Sequence, residues 1–242
     1  MKTNNINLTT ELAEFVGIML GDGNVNFKTN QITISCGIID GTYITEYIPF
    51  LITKLFSKRT GFRKQNRGGF DCRFSSKEAC NFLIKDMKIT SPKINCKIPY
   101  QFFKSKILLK FCVRGLFDTD GGLHRHHQKS AQLKFTNKSF SLIQSLYLAL
   151  KQLGYKPCTT IDHKEKNTFA IYLFSNDVKK YFNEVGSSNP KNQIKFKQWI
   201  EAGVVPLNSE IEKNVRLTRE VQEKILNKNL DSLKIFGFGA ES

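Results

Sequence analysis

Acidic residues are in short supply in this chain: 21 Asp and Glu stand against 37 Lys and Arg, a formal charge of +16 over 242 residues. The deficit is regional, with 13 basic and 8 acidic residues in 1–96, 17 and 6 in 97–196, and 7 of each in 197–242. A basic excess concentrated in the body of the chain calls for a polyanionic partner. Nucleic acid is favoured over membrane, because the sequence also lacks an 18-residue apolar run and a basic amphipathic anchor. C-x-x-C spacing is missing from the six cysteines (Cys36, Cys72, Cys80, Cys96, Cys112, Cys158), most of which have apolar neighbours and read as buried free thiols of a reducing compartment. Residues Met1 to Asn5 carry no secretory apolar core. The expectation is an intracellular protein, in the cytoplasm of a prokaryote or in an organelle, neither secreted nor membrane-bound. Proline is sparse as well: Pro92 and Pro99 mark a linker at about 89–104, and Pro190 breaks the chain where the basic body ends. What is abundant is apolar mass, 40% hydrophobic residues with 20 Phe, enough for sizeable cores.

Two stretches share one pattern. Phe15-Val16-Gly17-Ile18-Met19-Leu20-Gly21-Asp22-Gly23 is matched by Val113-Arg114-Gly115-Leu116-Phe117-Asp118-Thr119-Asp120-Gly121. In each, small residues lie four apart (Gly17 and Gly21, Gly115 and Thr119) on one face of a helix, which lets two such helices approach closely. The Gly after each Asp suits a helix C-cap, so each acid is expected at the carbonyl end, where the macrodipole disfavours a carboxylate. Packed side by side and parallel, the helices would bring Asp22 and Asp120 together with two negative ends behind them, and that arrangement calls for a divalent cation. Hard oxygen sites of this kind suit Mg²⁺ held by carboxylates, waters and a phosphate, the equipment of metal-assisted phosphodiester hydrolysis. On these two motifs the chain resembles the LAGLIDADG homing endonucleases, in the single-chain form that carries both copies.

The surrounding elements repeat too. A helix from Thr9 or Thr10, a hairpin with Val25, Phe27, Ile32, Ile34 and Cys36 inward, a helix over about 42–58, a second hairpin (62–66 and 70–74) and a helix behind a capping box at Ser75 to Glu78 are predicted in the first half. The second half restarts with a motif helix from about Lys104, hairpin strands at 123–126 and 131–136, a helix over 139–153, strands at 155–161 and 169–174, and a helix striped by Val178, Tyr181, Phe182 and Val185. Asp22 to Asp120 spans 98 residues and Phe74 to Phe174 spans 100, an offset that argues for a duplicated αββαββα unit. The expected fold is α+β: two pseudo-symmetric αββαββα halves, each with a four-stranded antiparallel saddle sheet, packed through two parallel motif helices. Residues 1–96 form the first half with its linker, 97–190 the second, and 191–242 an extension. Residues from 187 onward show no counterpart in the first half, so they read as a cap, with Trp199 docked on the body and an exposed helix from Val215 to Leu230.

Each sheet is expected to turn a polar face outward, and such a face can lie along a major groove. Its side chains are Asn24, Asn26, Lys28, Thr33, Ser35, Asp71 and Arg73 in the first half, and His124, His126, Gln132, Lys134 and Thr136 in the second. The resemblance, over residues 8 to about 195, implies the same saddle-shaped use of both sheets. It also implies Asp22 and Asp120 as catalytic metal ligands, joined by the backbone carbonyls of Gly21 and Thr119, with an amide or basic side chain where the strand after the motif ends. Asn137 and Lys138 match that place; in the first half Ser35-Cys36-Gly37 does not, which leaves the pocket asymmetric. Lys77 and Lys134 are weaker candidates. His124 and His126 share a strand face but make a poor metal site, and Asp118 is expected at the surface. The implied function is sequence-specific double-strand DNA cleavage with Mg²⁺, Mn²⁺ as substitute and Ca²⁺ binding without cleavage, by a monomer with no obligate protein partner, on a site of about 20 base pairs. The locus would be an intron or intein insertion site, with a free-standing or intron-encoded enzyme favoured because no splicing-domain sequence flanks the motifs. The rival readings are an RNA-binding intron maturase and a DNA-binding regulator that does not cleave.

Overall fold

The computed structural model describes residues 7–66, 68–127, 130–162, 168–174 and 176–215. The first half runs α1 (Thr10–Gly21), β1 (Gly23–Asn26), β2 (Gln31–Cys36), α2 (Ile48–Phe56), β3 (Gly61–Lys64), β4 (Phe70–Ser75) and α3 (Lys77–Asn81). After a short α4 (Tyr100–Phe103) the order restarts with α5 (Lys106–Asp120), β5 (Gly121–Arg125), β6 (Ala131–Asn137), α6 (Phe140–Gln152), β7 (Cys158–Asp162), β8 (Thr168–Phe174) and α7 (Asn176–Glu184). Two further helices, α8 (Pro190–Ala202) and α9 (Asn208–Val215), follow; most of the helix expected at 215–230 lies outside the described residues. The strands form two four-stranded antiparallel sheets of identical order, β1-β2-β4-β3 and β5-β6-β8-β7, so the duplication is one of topology as well as spacing. No described helix is long and apolar enough to cross a membrane.

Local chemistry explains the element ends. Thr9, Ser105 and Ser139 each place a side-chain oxygen on the third amide of the helix they open, satisfying one of the donors left free there. α3 also begins on such a cap, but it is Ser76, whose Oγ accepts from Ala79; the Ser75–Glu78 capping box is therefore displaced by one residue and Glu78 stays exposed. The alternation in β2 buries Ile32, Ile34 and Cys36 as expected. Phe27 departs from the pattern at 53% exposure, because the Asn26 side chain accepts from Lys28 and Thr29 amides and turns the chain before Phe27 can join β1. The helix expected over 42–58 is a π-helical turn at Tyr43–Tyr47 running into α2. Five cysteines are buried and Cys158 is exposed, all as free thiols.

One apolar core runs through both halves, with α1 and α5 at its centre. Phe15 meets Phe56 edge-on at 5.1 Å on the first side, and Phe117 meets Tyr181 at 5.0 Å on the second. α1 and α5 are parallel neighbours: Gly17 lies against Cys112 and Leu116, Gly115 against Glu14 and Ile18, and Gly21 against Thr119. A Cβ on Gly17 would lie 2.9 Å from the Leu116 amide nitrogen and nearer still to the Cys112 carbonyl oxygen, and Gly115 stands in the mirror relation to Ile18 and Glu14. The Thr119 hydroxyl donates back to Gly115 and Leu116 carbonyls, which removes its polar cost at this seam.

Candidate active site

Because the helices are parallel and in register, the two acids that end them become neighbours. Asp22 is the C-cap residue of α1, its amide bonded to the Ile18 carbonyl, and Asp120 is the last residue of α5. The following glycines are not left-handed caps: Gly121 has φ −112°. They are small because each strand starts against the preceding helix, where a Cβ on Gly23 would be 2.5 Å from Met19 Cα and one on Gly121 2.9 Å from Phe117 Cα. Burial first, then the charge of Asp120, pushes the Asp22 carboxyl up to about 7; burial pushes Asp120 up to about 6 against a hydrogen bond from Asn137. Two oxygen acids held this close and this dry are stabilised by a proton or by a nearby cation. Among the described residues no group of three or more His, Cys, Asp and Glu surrounds one, so a divalent ion here would complete its shell with water and phosphate oxygens, as Mg²⁺ does.

The structure holds the two acids differently. Asn137, at the end of β6, donates from Nδ2 to Asp120 Oδ2 at 2.5 Å while its Oδ1 accepts from the Ser139 amide. Lys138, paired with it in the sequence reading, is exposed between the end of β6 and the Ser139 cap of α6. No described side chain hydrogen-bonds the Asp22 carboxylate, which instead borders a cavity of about 310 Å³ shared with Ser35, Gln65 and Gly69. The carbonyl of Gly21, assigned to a metal above, accepts from the Lys93 ammonium, which also reaches Met19 O at 3.3 Å. Burial lowers the Lys93 pKa while Asp120 and Asp22 oppose that shift, so a lysine from the linker supplies the positive charge at the two helix ends.

Lys93 escaped the sequence reading, although a signal for it exists. Ser91-Pro92-Lys93 is answered by Ser188-Asn189-Pro190-Lys191, and the two lysines are 98 residues apart, the same offset as the two aspartates. Lys191 pairs with Asp40 at 2.6 Å and lowers the pKa of Asp22. The segment after 187 therefore does have a counterpart, and it does more than cap. Ser188 donates from its amide to Asp118 Oδ2 at 2.7 Å and from its hydroxyl to Glu14 Oε1 at 2.5 Å; Asn189 donates to Asp40 at 2.7 Å and to the Asp118 carbonyl. Glu14 and Asp40 belong to the first half and Asp118 to the second, so residues 187–192 clasp the halves beside the motif helices. Asp118 is thus not a surface residue: it is 3% exposed and accepts from Ser187, Ser188 and Asn192. Asp118→Ala is expected to destabilise the fold by about 2–4 kcal/mol, since it strands buried donors, whereas a surface acid would cost under about 0.5 kcal/mol; the midpoint of urea unfolding distinguishes the two. Trp199 is buried on the body, and Lys195 reaches the Leu123 carbonyl at 3.3 Å on the open edge of β5.

The outward faces of the sheets carry most of the side chains expected there. Cross-strand register places Asn26 beside Gln31 and Ser75, Asn24 beside Thr33 and Arg73, and Ser35 beside Asp71 and Arg63. In the second sheet His124, Gln132 and Phe174 form one row and Thr136, Ala170 and Thr160 another. Lys28 and His126 lie just beyond their strands, His126 against Phe174, and Lys134 lies over the Tyr172 ring at 5.9 Å. Lys77 is exposed at the start of α3, two residues after Ser75. Crowding by the chain, then Lys195, Lys134 and Lys191, lowers His124 to about 4, so its ring is neutral at pH 7. Asp71 is the exception: it is 2% exposed and its oxygens are taken by Ser35, Gln65 and Arg63, so it is not a free outward contact.

Comparison with known proteins agrees with this geometry. A family profile described as a LAGLIDADG-like domain matches residues 110–186, the second half. The replication factor C small subunit of Methanocaldococcus jannaschii is 24% identical over 205 residues, 82% of this chain; the chain spans about a tenth of the length of that curated relative. Among solved structures, the homing endonuclease I-DmoI in its mesophilic variants superposes with a TM-score of 0.57 at 17% identity, over 75% of this chain and 97% of that one. I-DmoI in complex with DNA and Ca gives 0.59 at 16% identity, over 79% and 99%. Full-length DUF199/WhiA from Thermatoga maritima gives 0.56 at 15% identity, over 96% and 84%. At these identities the solved structures speak for the fold alone. Residues 110–186 thus match a LAGLIDADG-like domain, and two motif helices in register, an acid ending each and a four-stranded sheet on either side give the whole chain the fold of these solved structures.

Proposed function

We propose that this protein is a sequence-specific DNA endonuclease that hydrolyses both strands of a long duplex site. The observation that carries the reading is the pair Asp22 and Asp120, buried together at the ends of the motif helices between two outward polar sheet faces. A fold used only to bind DNA or RNA has no need of two mutually repelling carboxylates there. A divalent cation held by Asp22 and Asp120 would supply Lewis-acid stabilisation of the phosphoryl group. Support for such an ion comes from the I-DmoI complexes, which contain DNA with Mn or Ca. The chain's own residues do the rest. Asn137 fixes the orientation of Asp120, and Lys93 and Lys191 offset the anionic charge that a phosphodiester brings to the acids. Water adds to phosphorus and gives up a proton to bulk solvent, the bridging P–O bond breaks, and the alkoxide takes up a proton, for which the partly buried Lys93 ammonium is a suitable donor that solvent then reprotonates.

Two halves in one chain supply internally what a homodimer obtains by symmetry, so the protein acts as a monomer, and two sheets each spanning about one helical turn give a site on the order of 20 base pairs. The expected binding is strongly salt-dependent: with 6–10 neutralised phosphates, affinity falls about 10³- to 10⁵-fold between roughly 50 and 200 mM salt. The test is a duplex recovered from a randomised library by Mg²⁺-dependent cleavage, followed by a salt titration of binding in Ca²⁺ and light scattering of the complex. Affinity indifferent to salt, or a stable dimer, would count against the monomeric clamp. Tight duplex binding without a cut in Mg²⁺ or Mn²⁺ would favour the non-cleaving regulator, and rescue of intron RNA splicing would favour the maturase.

A further inference from the structure

The catalytic surroundings of the two acids are unequal, and the inequality points to a residue on a different strand. In the second half the amide of Asn137 arrives from the end of β6 and grips Asp120. The matching end of β2 is Ser35-Cys36, with no amide and a buried thiol. The cavity beside Asp22 nevertheless has an amide in its wall, that of Gln65 from the turn between β3 and β4. The turn is built to place it there. Gln65 donates its backbone amide to the Gly69 carbonyl at 2.8 Å and accepts from Gly68, whose φ of +89° suits glycine. Gly69 is small for a second reason: a Cβ on it would come within 2.9 Å of Gln65 Oε1 and strike the Cys36 carbonyl, so its absence makes room for the side-chain amide.

The amide is also oriented. Gln65 Nε2 donates to Asp71 Oδ1 at 2.6 Å, Ser35 Oγ donates to the same oxygen at 2.7 Å, and Arg63 donates to Oδ2 through Nε at 3.1 Å and Nη2 at 2.8 Å. With Nε2 committed to a buried carboxylate, Gln65 Oε1 is left as an acceptor lying against Gly69, in the wall that Asp22 shares. The network is also tied to the acid through the backbone, since the Ser35 amide donates to the Asp22 carbonyl at 3.2 Å. The equivalent row in the second half is Thr136, Ala170 and Thr160, which carries no charge. Among the described residues the network belongs to the first half.

We infer that Gln65 supplies the amide beside Asp22 that the end of β2 lacks: its Oε1 orients a water in the Asp22 cavity for one of the two strand cuts, and Asp71 is the positioning residue that aims it. The inference rests on the nuclease reading. It replaces the expectation that the first half has no such amide, and it gives Asp71 a role in place of a direct DNA contact.

The test uses the full chain and a duplex selected by cleavage from a random library, with each strand end-labelled, in single-turnover Mg²⁺ reactions. Gln65→Ala should slow cutting of one strand by about 10²-fold, the usual scale for losing alignment of a reactant, so that nicked duplex accumulates. Asn137→Ala should slow the opposite strand. Duplex affinity in Ca²⁺ should move by less than about threefold for Gln65→Ala, because the lost interaction orients the reactant and contributes little to binding. Asp71→Ala should slow the same strand as Gln65→Ala, and the double variant should be no slower than the slower single one, since both act on one unit. Should Asp71→Ala fold poorly, the Gln65→Ala and Asn137→Ala strand biases still decide the matter. Equal slowing of both strands, slowing of the same strand by both amide variants, or an unchanged rate for Gln65→Ala would overturn the inference while leaving the nuclease reading intact. A parent protein that binds duplex and cuts neither strand would overturn both.

Discussion

Asp22→Asn and Asp120→Asn should each yield a folded protein that binds its duplex as well as or better than the parent and no longer breaks both strands. The loss expected is at least about 10³-fold in the rate of double-strand cleavage, because several kcal/mol of charge stabilisation in the transition state depends on the carboxylates. Binding should not suffer, since removing an anion near phosphate removes a repulsion. Stability should follow pH in a defined direction. Burial, joined at Asp22 by the charge of Asp120, holds the folded carboxyls at about 7 and about 6, above the ordinary value of about 4 in an unfolded chain. The folded state therefore holds protons that the unfolded state has released, and the stability this contributes is present below about pH 4 and lost as pH rises through 6 and 7. The cation-free protein is expected to melt higher at pH 5 than at pH 8, and Mg²⁺ or either Asn substitution should narrow that gap. Cleavage of both strands by both variants would remove the acids from the mechanism, and melting that rises from pH 5 to pH 8 would contradict the electrostatics described for the pair.

The fold was legible because it is written twice. Apolar alternation, side-chain caps and a 98-residue offset fall in step, and each half confirms the element boundaries of the other. The acids were legible for a related reason, since an Asp at the carbonyl end of a close-packing helix is a local conflict, and conflicts of that kind gather at working sites. Asp118 was misread because its neighbours are about 70 residues away: nothing in the local pattern shows that Ser187, Ser188 and Asn192 will close over it. Asp71 was misread for a subtler reason. Its strand position is outward, as the period of two requires, yet Arg63 from the next strand and Gln65 from the turn after it cover it, and cross-strand register is not carried by periodicity. Lys93 and Lys191 were overlooked because the repeat was traced through regular elements and stopped before 187, while Lys93 follows Pro92 in the linker and Lys191 sits in the first turn of α8.

The helix seam is where stability and chemistry are most tightly joined, and it gives the largest structural effect expected. Gly17→Ala and Gly115→Ala should each destabilise the protein by about 3 kcal/mol or more, although glycine in a helix interior ordinarily gains about 1 kcal/mol on replacement by alanine. The reason is the nature of the obstacle. At Gly17 the new methyl meets Cys112 and Leu116 backbone, and at Gly115 it meets Glu14 and Ile18 backbone, so no side chain can rotate away and the helices themselves must part. At Gly21 the obstacle is the side chain of Thr119, so Gly21→Ala should be costly alone and relieved by Thr119→Gly in the double variant. Gly61, with nothing near its missing Cβ, provides the control: Gly61→Ala should stay within about 0.5 kcal/mol of the parent. Parting the helices also separates Asp22 from Asp120, so cleavage should fall in step with the loss of stability across this series, and a second-site change that restores packing should restore both. Urea unfolding beside a cleavage assay makes the comparison. A Gly115→Ala protein as stable as its parent would mean that α1 and α5 do not touch as described, and one that is destabilised yet cuts both strands at the parental rate would show that the spacing of the two acids does not control the chemistry.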